Sequence, residues 1–191
     1  MKTEEYTILR GQARIAAADF VQRYVDLADP AAGCRPCPDY GRYWTCPPYD
    51  VPAADYWAGF DTVLLEGMQF HFTPAMLERR FDPEELAEYT RRLTAEQARQ
   101  MDRALRRQYP GAAVLTTGGC TLCGECTRPM GRPCRHPQAV GYSLESLGCD
   151  VGAAARGELG WELLWPRRDR LPRYLTLLCA VLRLSLIHIS E

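Results

Sequence analysis

The chain has 191 residues and a formal net charge of −1, with 47% hydrophobic and 25% charged residues. This composition is that of a soluble globular protein with one domain and its own core. The near-neutral charge excludes a whole-protein attraction to nucleic acid or anionic lipid, so we expect no nucleic-acid partner. No apolar run approaches the roughly 20 residues of a membrane span, and no secretory signal is visible. The sequence therefore predicts a cytoplasmic protein without a membrane segment.

The predicted elements alternate between helices and strands, and two cysteine-rich windows fall between them. Asp82-Pro83 is the strongest boundary, because an N-cap residue followed by proline begins a helix. Thr94 and Gln97 lie at capping-box spacing, which predicts a break in this helix near Thr94. In chain order, the sequence predicts a helix over 17–25, a turn-rich segment over 29–52, a strand over 62–72 bent at Gly67, a helical region over 83–108, a strand over 112–116, a loop over 120–137, a short helix over 143–147, and buried strands over 161–165 and 174–182.

These elements predict the α+β class. We expect a single domain over residues 1–184, with a mixed or antiparallel sheet, flanking helices and two cysteine-rich metal-binding loops at 34–48 and 118–137. Residues 185–191 resemble a translated sequencing adapter, so we expect them to be a non-native tail.

Nine cysteines are present, an odd number, and seven of them crowd into the two loops. In a secreted chain such a content would indicate a disulfide framework. In a reducing compartment, crowded cysteines point to metal binding or redox chemistry instead. Cys179 lies within an apolar run and is expected to be a core residue.

The second cysteine loop has the more specific spacing. Its thiols follow the pattern C-x2-C-x2-C-x7-C, and they are Cys120, Cys123, Cys126 and Cys134. A tight triple of this kind begins the ligand run of ferredoxins, whereas zinc sites more often use two C-x2-C pairs held apart by a longer spacer. The spacing therefore favours a [4Fe-4S] cluster, with zinc as the alternative. The nearby glycines, Gly118, Gly119 and Gly124, would turn amides toward the sulfurs. Three arginines, Arg128, Arg132 and Arg135, would offset the cluster charge.

The first cysteine loop supplies three local ligands in the pattern C-x2-C-x8-C, namely Cys34, Cys37 and Cys46. An open fourth position would make a reactive metal, whereas a closed site would be a structural knuckle. Borrowing a cysteine between two clusters also occurs in ferredoxins. The fourth ligand stays open among Cys149, His71, His136, a cysteine of the second loop and a non-protein ligand.

Together, the two motifs resemble the domain of unknown function 2284 family, described as predicted metal-binding proteins. The resemblance is carried by Cys34-x2-Cys37 through Cys46-Pro47-Pro48, by Cys120-x2-Cys123-x2-Cys126, and by Pro133-Cys134-Arg135-His136-Pro137. It extends roughly from Phe20 to Val181 and includes Ser143-Leu144-Glu145. It implies metal binding and supplies no reaction. Cys149 departs from the family pattern, where an aliphatic residue is expected.

The leading functional hypothesis is an iron-sulfur protein that transfers electrons or serves as an accessory to a redox partner protein. The second is a zinc-binding structural or interaction module, and the third is a metal-dependent enzyme with an open position at the first loop. No nucleotide-binding, hydrolase or metalloprotease motif is present in the sequence. We therefore assign no catalytic residue.

Overall fold

The computed structural model describes residues 5–120 and 122–184, which form one α+β domain. The predicted tail at 185–191 lies outside the described residues. In chain order the elements are β1 (Tyr6–Ala16), α1 (Ala17–Tyr24), α2 (Ala53–Ala58), β2 (Thr62–Phe72), α3 (Pro74–Glu78), α4 (Pro83–Gln108), β3 (Ala113–Leu115), α5 (Val151–Leu159) and β4 (Tyr174–Arg183). Short 3₁₀ turns cover Arg128–Met130 and Glu145–Leu147. No helix in these described ranges is both long and apolar enough to cross a membrane.

The sheet is antiparallel throughout and has the strand order β1-β2-β4-β3. Side chains alternate across the two central strands, so that β2 and β4 are buried on both faces. Val63 and Leu65 face a core built with α1, α2 and α5, whereas Leu64 and Met68 face a second core built with α3 and α4. This three-layer arrangement confirms the α+β prediction and gives the sheet as antiparallel.

Gly67 makes room for an indole ring and leaves the strand unbroken. The register Gly11↔Gly67↔Leu178 runs continuously through β1, β2 and β4. A Cβ at Gly67 would lie 2.6 Å from the Trp161 ring, and a Cβ at Gly11 would also lie 2.6 Å from it. The two paired glycines therefore leave the space on the sheet that the Trp161 ring occupies.

Two local predictions were wrong. The long helix α4 does not break at Thr94, because the Thr94 hydroxyl donates back to the Thr90 carbonyl at 2.8 Å and caps no new helix. The predicted strand at 161–165 pairs with no neighbour in the described chain. Instead the Trp161 ring lies over Gly11 and Gly67, and Trp165 is 71% exposed.

The bases of both cysteine loops lie on one segment, residues 142–150. Thr116 donates to the Tyr142 carbonyl at 2.8 Å, so the second loop begins and ends at one point. Asp26 donates to the Gly148 carbonyl at 2.9 Å, and Asp150 donates to the Tyr24 carbonyl at 2.8 Å, which anchors the start of the first loop beside it. The fold thereby brings two loops that are distant in sequence to the same end of the molecule.

Candidate metal centre

The first cysteine loop is a series of tight turns. Its backbone amides donate to carbonyls three residues back: Cys37 to Cys34 at 3.0 Å, Tyr40 to Cys37 at 3.0 Å, and Cys46 to Tyr43 at 2.9 Å. No helix or strand interrupts 29–52, as its prolines predicted. Cys34 and Cys46 are half-buried and Cys37 is exposed.

The three thiols of the first loop influence one another. Burial raises the pKa of the Cys34 thiol to about 11, and the negative charges of Glu145, Cys46 and Cys37 act in the same direction. The Cys46 thiol is oriented toward the Asp39 carbonyl, 3.4 Å away. The charges of Cys37 and Cys46 thus act on Cys34, and so does the charge of Glu145 from another part of the chain.

The second loop folds back on itself so that its last cysteine returns to the other three. The Thr127 hydroxyl donates to the Pro133 carbonyl at 2.9 Å, and Arg135 donates to the Glu125 carbonyl at 3.0 Å. Between these contacts lies the 3₁₀ turn Arg128–Met130, which ends at Gly131 with φ of 62°. These contacts close the seven-residue spacer between Cys126 and Cys134.

All four thiols of the second loop are half-buried and lie close enough to interact electrostatically. Burial raises the pKa of the Cys120 thiol, and the neighbouring charges of Cys126, Cys123 and Cys134 add to this effect, while the Leu122 amide opposes it. The His136 amide donates to the Cys134 sulfur at 3.4 Å. The amides directed at these sulfurs belong to Leu122 and His136 and not to the three glycines of the expectation.

The two loops are in direct contact. The Trp44 indole donates to the Thr127 hydroxyl at 3.2 Å. The Arg128 guanidinium donates to the Tyr43 carbonyl at 2.7 Å, to the Pro48 carbonyl at 3.1 Å and to the Cys46 carbonyl. Arg128 was expected to balance cluster charge; in the structure it joins the loops through backbone carbonyls.

Tyr43 lies between the two cysteine sets. Burial raises the pKa of its phenol. The charge of Asp39 and, more weakly, those of Cys46 and Cys126 act in the same direction, while Arg42 opposes them. Gly119 packs against the Tyr43 ring so closely that a Cβ there would lie 3.0 Å from it. Gly119 is therefore needed for close approach, whereas Gly118 takes the left-handed geometry expected of it, with φ of 72°.

Two other candidates for the fourth ligand, His71 and Cys149, pack against protein side chains. His71 lies in β2, where its ring bonds to Gln69 at 2.9 Å and stacks on Tyr174 at 5.0 Å between centroids. Cys149 and Cys179 are buried in the two hydrophobic cores, which confirms the core prediction for Cys179. His136 is exposed beside Cys134.

The buried carboxyl of Glu145 was not singled out in the sequence. Its carboxyl is desolvated by burial, which raises its pKa, while the Ser143 hydroxyl and its own amide donate to it. One signal was available: an acid placed between Leu144 and Leu147, both of which are buried.

The donor set suits soft or borderline metals, because thiolate sulfur is the ligand that zinc, copper and iron-sulfur clusters select. Among residues 5–120 and 122–184, no three His, Cys, Asp or Glu side chains are placed to hold a metal ion.

Comparison with known proteins gives one match. A family model described as a predicted metal-binding protein, DUF2284, matches residues 24–182. No curated protein and no solved structure matches the chain. Because the family model spans most of the sequence, both cysteine loops included, the chain belongs to the DUF2284 family of predicted metal-binding proteins.

Proposed function

We propose that Cys120, Cys123, Cys126 and Cys134 hold a [4Fe-4S] cluster and that the protein carries electrons to or from a redox partner protein. The observation that carries the proposal is the closure of the second loop. Its backbone returns Cys134 to the triple, and the charges of the other three thiols all act on Cys120. Ferredoxin-type spacing and this grouping favour four thiolates around one cluster over two separate pairs.

The loop also supplies what a thiolate-held cluster needs from its surroundings. The amides of Leu122 and His136 point at the sulfurs of Cys120 and Cys134. Such hydrogen bonds stabilise thiolate charge and, with solvent exposure, set the potential of an iron-sulfur centre. When bound, the cluster supplies one-electron transfer. The thiols must lose their protons on binding, so the raised pKa of Cys120 makes cluster uptake proton-linked.

Exposed apolar side chains next to the second loop support a partner that docks there. Leu122 is 42% exposed and Met130 is 45% exposed, and both lie within the cysteine run. Electron-transfer complexes use small contact areas, and Met is enriched at interface cores. Docking over Leu122 and Met130 would place a partner's acceptor close to the cluster.

A zinc-binding structural module is the second candidate. It is favoured by the bracing of the loops: neither contains a helix or strand longer than a 3₁₀ turn among the described residues, and Arg128 and Thr127 provide much of their mutual contact. A closed metal site would hold such loops in place without any redox role.

Anaerobic purification of the full chain separates the two candidates. We expect a brown protein with broad visible absorption and with iron and acid-labile sulfide near four per chain, as a cubane cluster requires. Cys123→Ala should abolish the chromophore. Cys179→Ala is the matched control, because it removes the same atoms from a core cysteine and should leave the colour intact.

The contrary result is equally clear. A colourless protein with stoichiometric zinc, and with no colour after reconstitution with iron and sulfide, would refute the iron-sulfur proposal and support the zinc module. Persistence of the chromophore in Cys123→Ala would show that the second loop is not where the cluster is held.

A further inference from the structure

Arginines gather around a cleft beside the segment that leads from α5 into β4. The cleft has a volume of about 620 Å³ and is called the arginine cleft below. Its arginines are Arg80, Arg167, Arg168, Arg170 and Arg173. The one acid that lines it is Asp169, so five guanidinium groups share the cleft with a single carboxylate. In a chain with a net charge of −1, this is a pronounced local excess of positive charge.

Most of this positive charge is not neutralised by the protein. Arg80 donates to the Asp169 carboxylate at 2.6 Å, and Arg173 lies over the Tyr174 ring at 5.2 Å from its centroid. The guanidinium groups of the other three arginines form no ion pair and no hydrogen bond within residues 5–120 and 122–184. Like charges gathered around one cleft repel each other, and a bound anion would relieve that repulsion.

The backbone that carries these arginines is held in place. Arg167 and Arg170 exchange two backbone hydrogen bonds, of 3.1 and 3.0 Å, and thereby form a hairpin turn with Arg168 and Asp169 at its corner. The Phe81 amide donates to the Asp169 carbonyl at 3.0 Å, which fixes this corner to the segment after α3. The turn therefore presents its side chains from a preformed backbone, which lowers the entropic cost of binding a ligand.

Arg168 occupies a backbone conformation that favours glycine. Its φ is 53°, and it is the one non-glycine residue with positive φ in the described chain. Glycine, asparagine and aspartate are the usual residues at such a position of a two-residue hairpin turn. A strained backbone of this kind is retained most often at functional sites. The arginine at this corner therefore indicates that its side chain is used.

An exposed indole lines the same cleft. Trp165 is 71% exposed, more than any other large hydrophobic side chain in the described chain, and its ring stacks on no other ring or guanidinium there. Leu163 and Leu171 add apolar lining. A larger cleft of about 770 Å³ between α4 and β1 also contains three arginines, but no aromatic side chain lines it. The arginine cleft thus combines a flat aromatic face with positive charge.

We propose that the arginine cleft binds a nucleoside phosphate, whose base stacks on Trp165 and whose phosphates pair with Arg167, Arg168 and Arg170. The planar guanidinium fork matches phosphate oxygens, and nucleic-acid bases stack on indole rings. The cleft volume lies within the range of small-molecule sites. The sequence has no glycine-rich phosphate loop, so side chains would hold the phosphates. This site is independent of metal binding by the cysteine loops.

Calorimetric titration of the full chain with ADP and with UDP tests the proposal. Both should bind, because purines and pyrimidines alike offer a face for stacking. ADP should bind more tightly than pyrophosphate or adenosine by about tenfold or more, the contribution of one stacked base or one charged hydrogen bond. ADP should also quench the fluorescence of Trp165.

Two substitutions in the cleft separate its two halves. Arg170→Gln should weaken ADP binding by about tenfold through the loss of a phosphate contact. Trp165→Leu should weaken it by a similar factor, about tenfold, and should abolish the quenching. Arg103→Gln is the matched control, because it removes the same charge from the larger cleft between α4 and β1 and should bind ADP as wild type does.

Arg168→Gly separates binding from folding. Glycine adopts positive φ without strain, so this variant should melt at the wild-type temperature or higher. Its affinity for ADP should nevertheless fall by about tenfold, because one guanidinium is lost. A residue that only shapes the turn would leave ADP affinity unchanged. All of these variants should keep the visible chromophore expected of the cysteine loops, so failure of the iron-sulfur proposal would be recorded separately.

Each contrary outcome is distinct. If neither ADP nor UDP bound to wild type, the proposal would be wrong. Pyrophosphate binding as tightly as ADP would leave an anion site in which Trp165 has no part. A loss of ADP affinity in Arg103→Gln, with none in Arg170→Gln, would move the ligand to the larger cleft. Binding of a single-stranded oligonucleotide without binding of ADP would replace the small ligand by a nucleic acid.

Discussion

Arg128 donates a hydrogen bond of 2.7 Å to the backbone carbonyl of Tyr43, and through it the second cysteine loop is fixed to the first. The same guanidinium reaches the carbonyls of Cys46 and Pro48. One side chain of the second loop thus spans the backbone around Cys46. The two cysteine-rich loops are consequently held together, and weakening the contacts of one should also destabilise the other.

Arg128→Lys is expected to loosen this unit. Lysine keeps the charge but lacks the planar fork that reaches several carbonyls at once. Hydrogen bonds from charged groups contribute about 1.5–3 kcal/mol each, so we expect a loss of about 1–2 kcal/mol for a half-buried site that lysine partly restores. Urea unfolding of the metal-free chain measures the change. Arg132→Lys, at an exposed position of the same loop, should be neutral; equal losses in both variants would show that the carbonyl contacts are unimportant.

Thr127→Val tests the second contact between the loops. The buried Thr127 hydroxyl accepts from Trp44 and donates to the Pro133 carbonyl. Valine has the same shape and leaves both groups unsatisfied, at a cost of about 1–3 kcal/mol. Because the Pro133 contact holds the segment that carries Cys134, alkylation of Cys134 by iodoacetamide should also become faster.

The control for Thr127 is Thr94→Val. Among the described residues, the Thr94 hydroxyl bonds within its own helix, to the Thr90 and Arg91 carbonyls. Thr94→Val should change the free energy of unfolding by no more than about 0.5 kcal/mol, the usual range for a surface substitution. It should also leave the alkylation rate of Cys134 unchanged. Unchanged alkylation in Thr127→Val would mean that Pro133 is held by other contacts.

Gly67→Ala should destabilise the sheet without touching the loops. The new Cβ would lie 2.6 Å from the Trp161 ring and 2.7 Å from a methyl of Leu159, so the indole must move. Overpacking of this kind costs about 1–3 kcal/mol. Urea unfolding should show the loss, and Trp fluorescence should shift to the red as Trp161 gains solvent.

Gly33→Ala is the matched control, since nothing lies within 4 Å of a Cβ there. It should leave stability and fluorescence unchanged. If Gly67→Ala had the same stability and fluorescence as Gly33→Ala, the missing side chain at Gly67 would not be needed to accommodate the Trp161 ring.

Glu66 gives a pH dependence with a defined sign. Burial raises its pKa above the usual value, against the opposing effects of the Gln12 hydrogen bond and Arg10. Between the unfolded and folded pKa values the native state holds the extra proton, so stability falls as pH rises through this window. Glu66→Gln should therefore be more stable than wild type at pH 7, and the difference should vanish at about pH 3, below both values. A difference that persists at pH 3 would assign it to packing.

Buried elements were easier to predict from the sequence than exposed ones. The strands at 62–72 and 174–182 were recognisable because central strands bury both faces and so form long apolar runs. The edge strand β1 was missed, since most of its side chains are exposed and even Ile8 and Leu9 face solvent. Helix α5 was missed because its small residues, chiefly alanine and glycine, give little amphipathic contrast.

At the candidate site, the sequence indicated the two sets of cysteines but not the contacts between them. Cysteine spacing is local, so the two sets of thiols could be read from the sequence, and their binding of metal stays a prediction. The contact between the sets is made by Arg128 on backbone carbonyls, which every residue carries and which leave no mark in a sequence. The packing of residues 142–150 against the start of the first loop, through the Asp26 amide and the Gly148 carbonyl, likewise depends on tertiary structure.

Removal of metal should loosen the cysteine loops and leave the sheet intact. Both loops are held by isolated turns and a few side chains, whereas β2 and β4 are paired along 10 residues. Hydrogen exchange after anaerobic chelation should therefore speed up across 34–48 and 118–137 and stay slow in the central strands. The His136 amide is the sharpest probe, because it donates to the Cys134 sulfur. In metal-free Cys123→Ala, chelator should add nothing; protection of the loops that is independent of metal in wild type would mean that the loops are ordered by protein contacts alone.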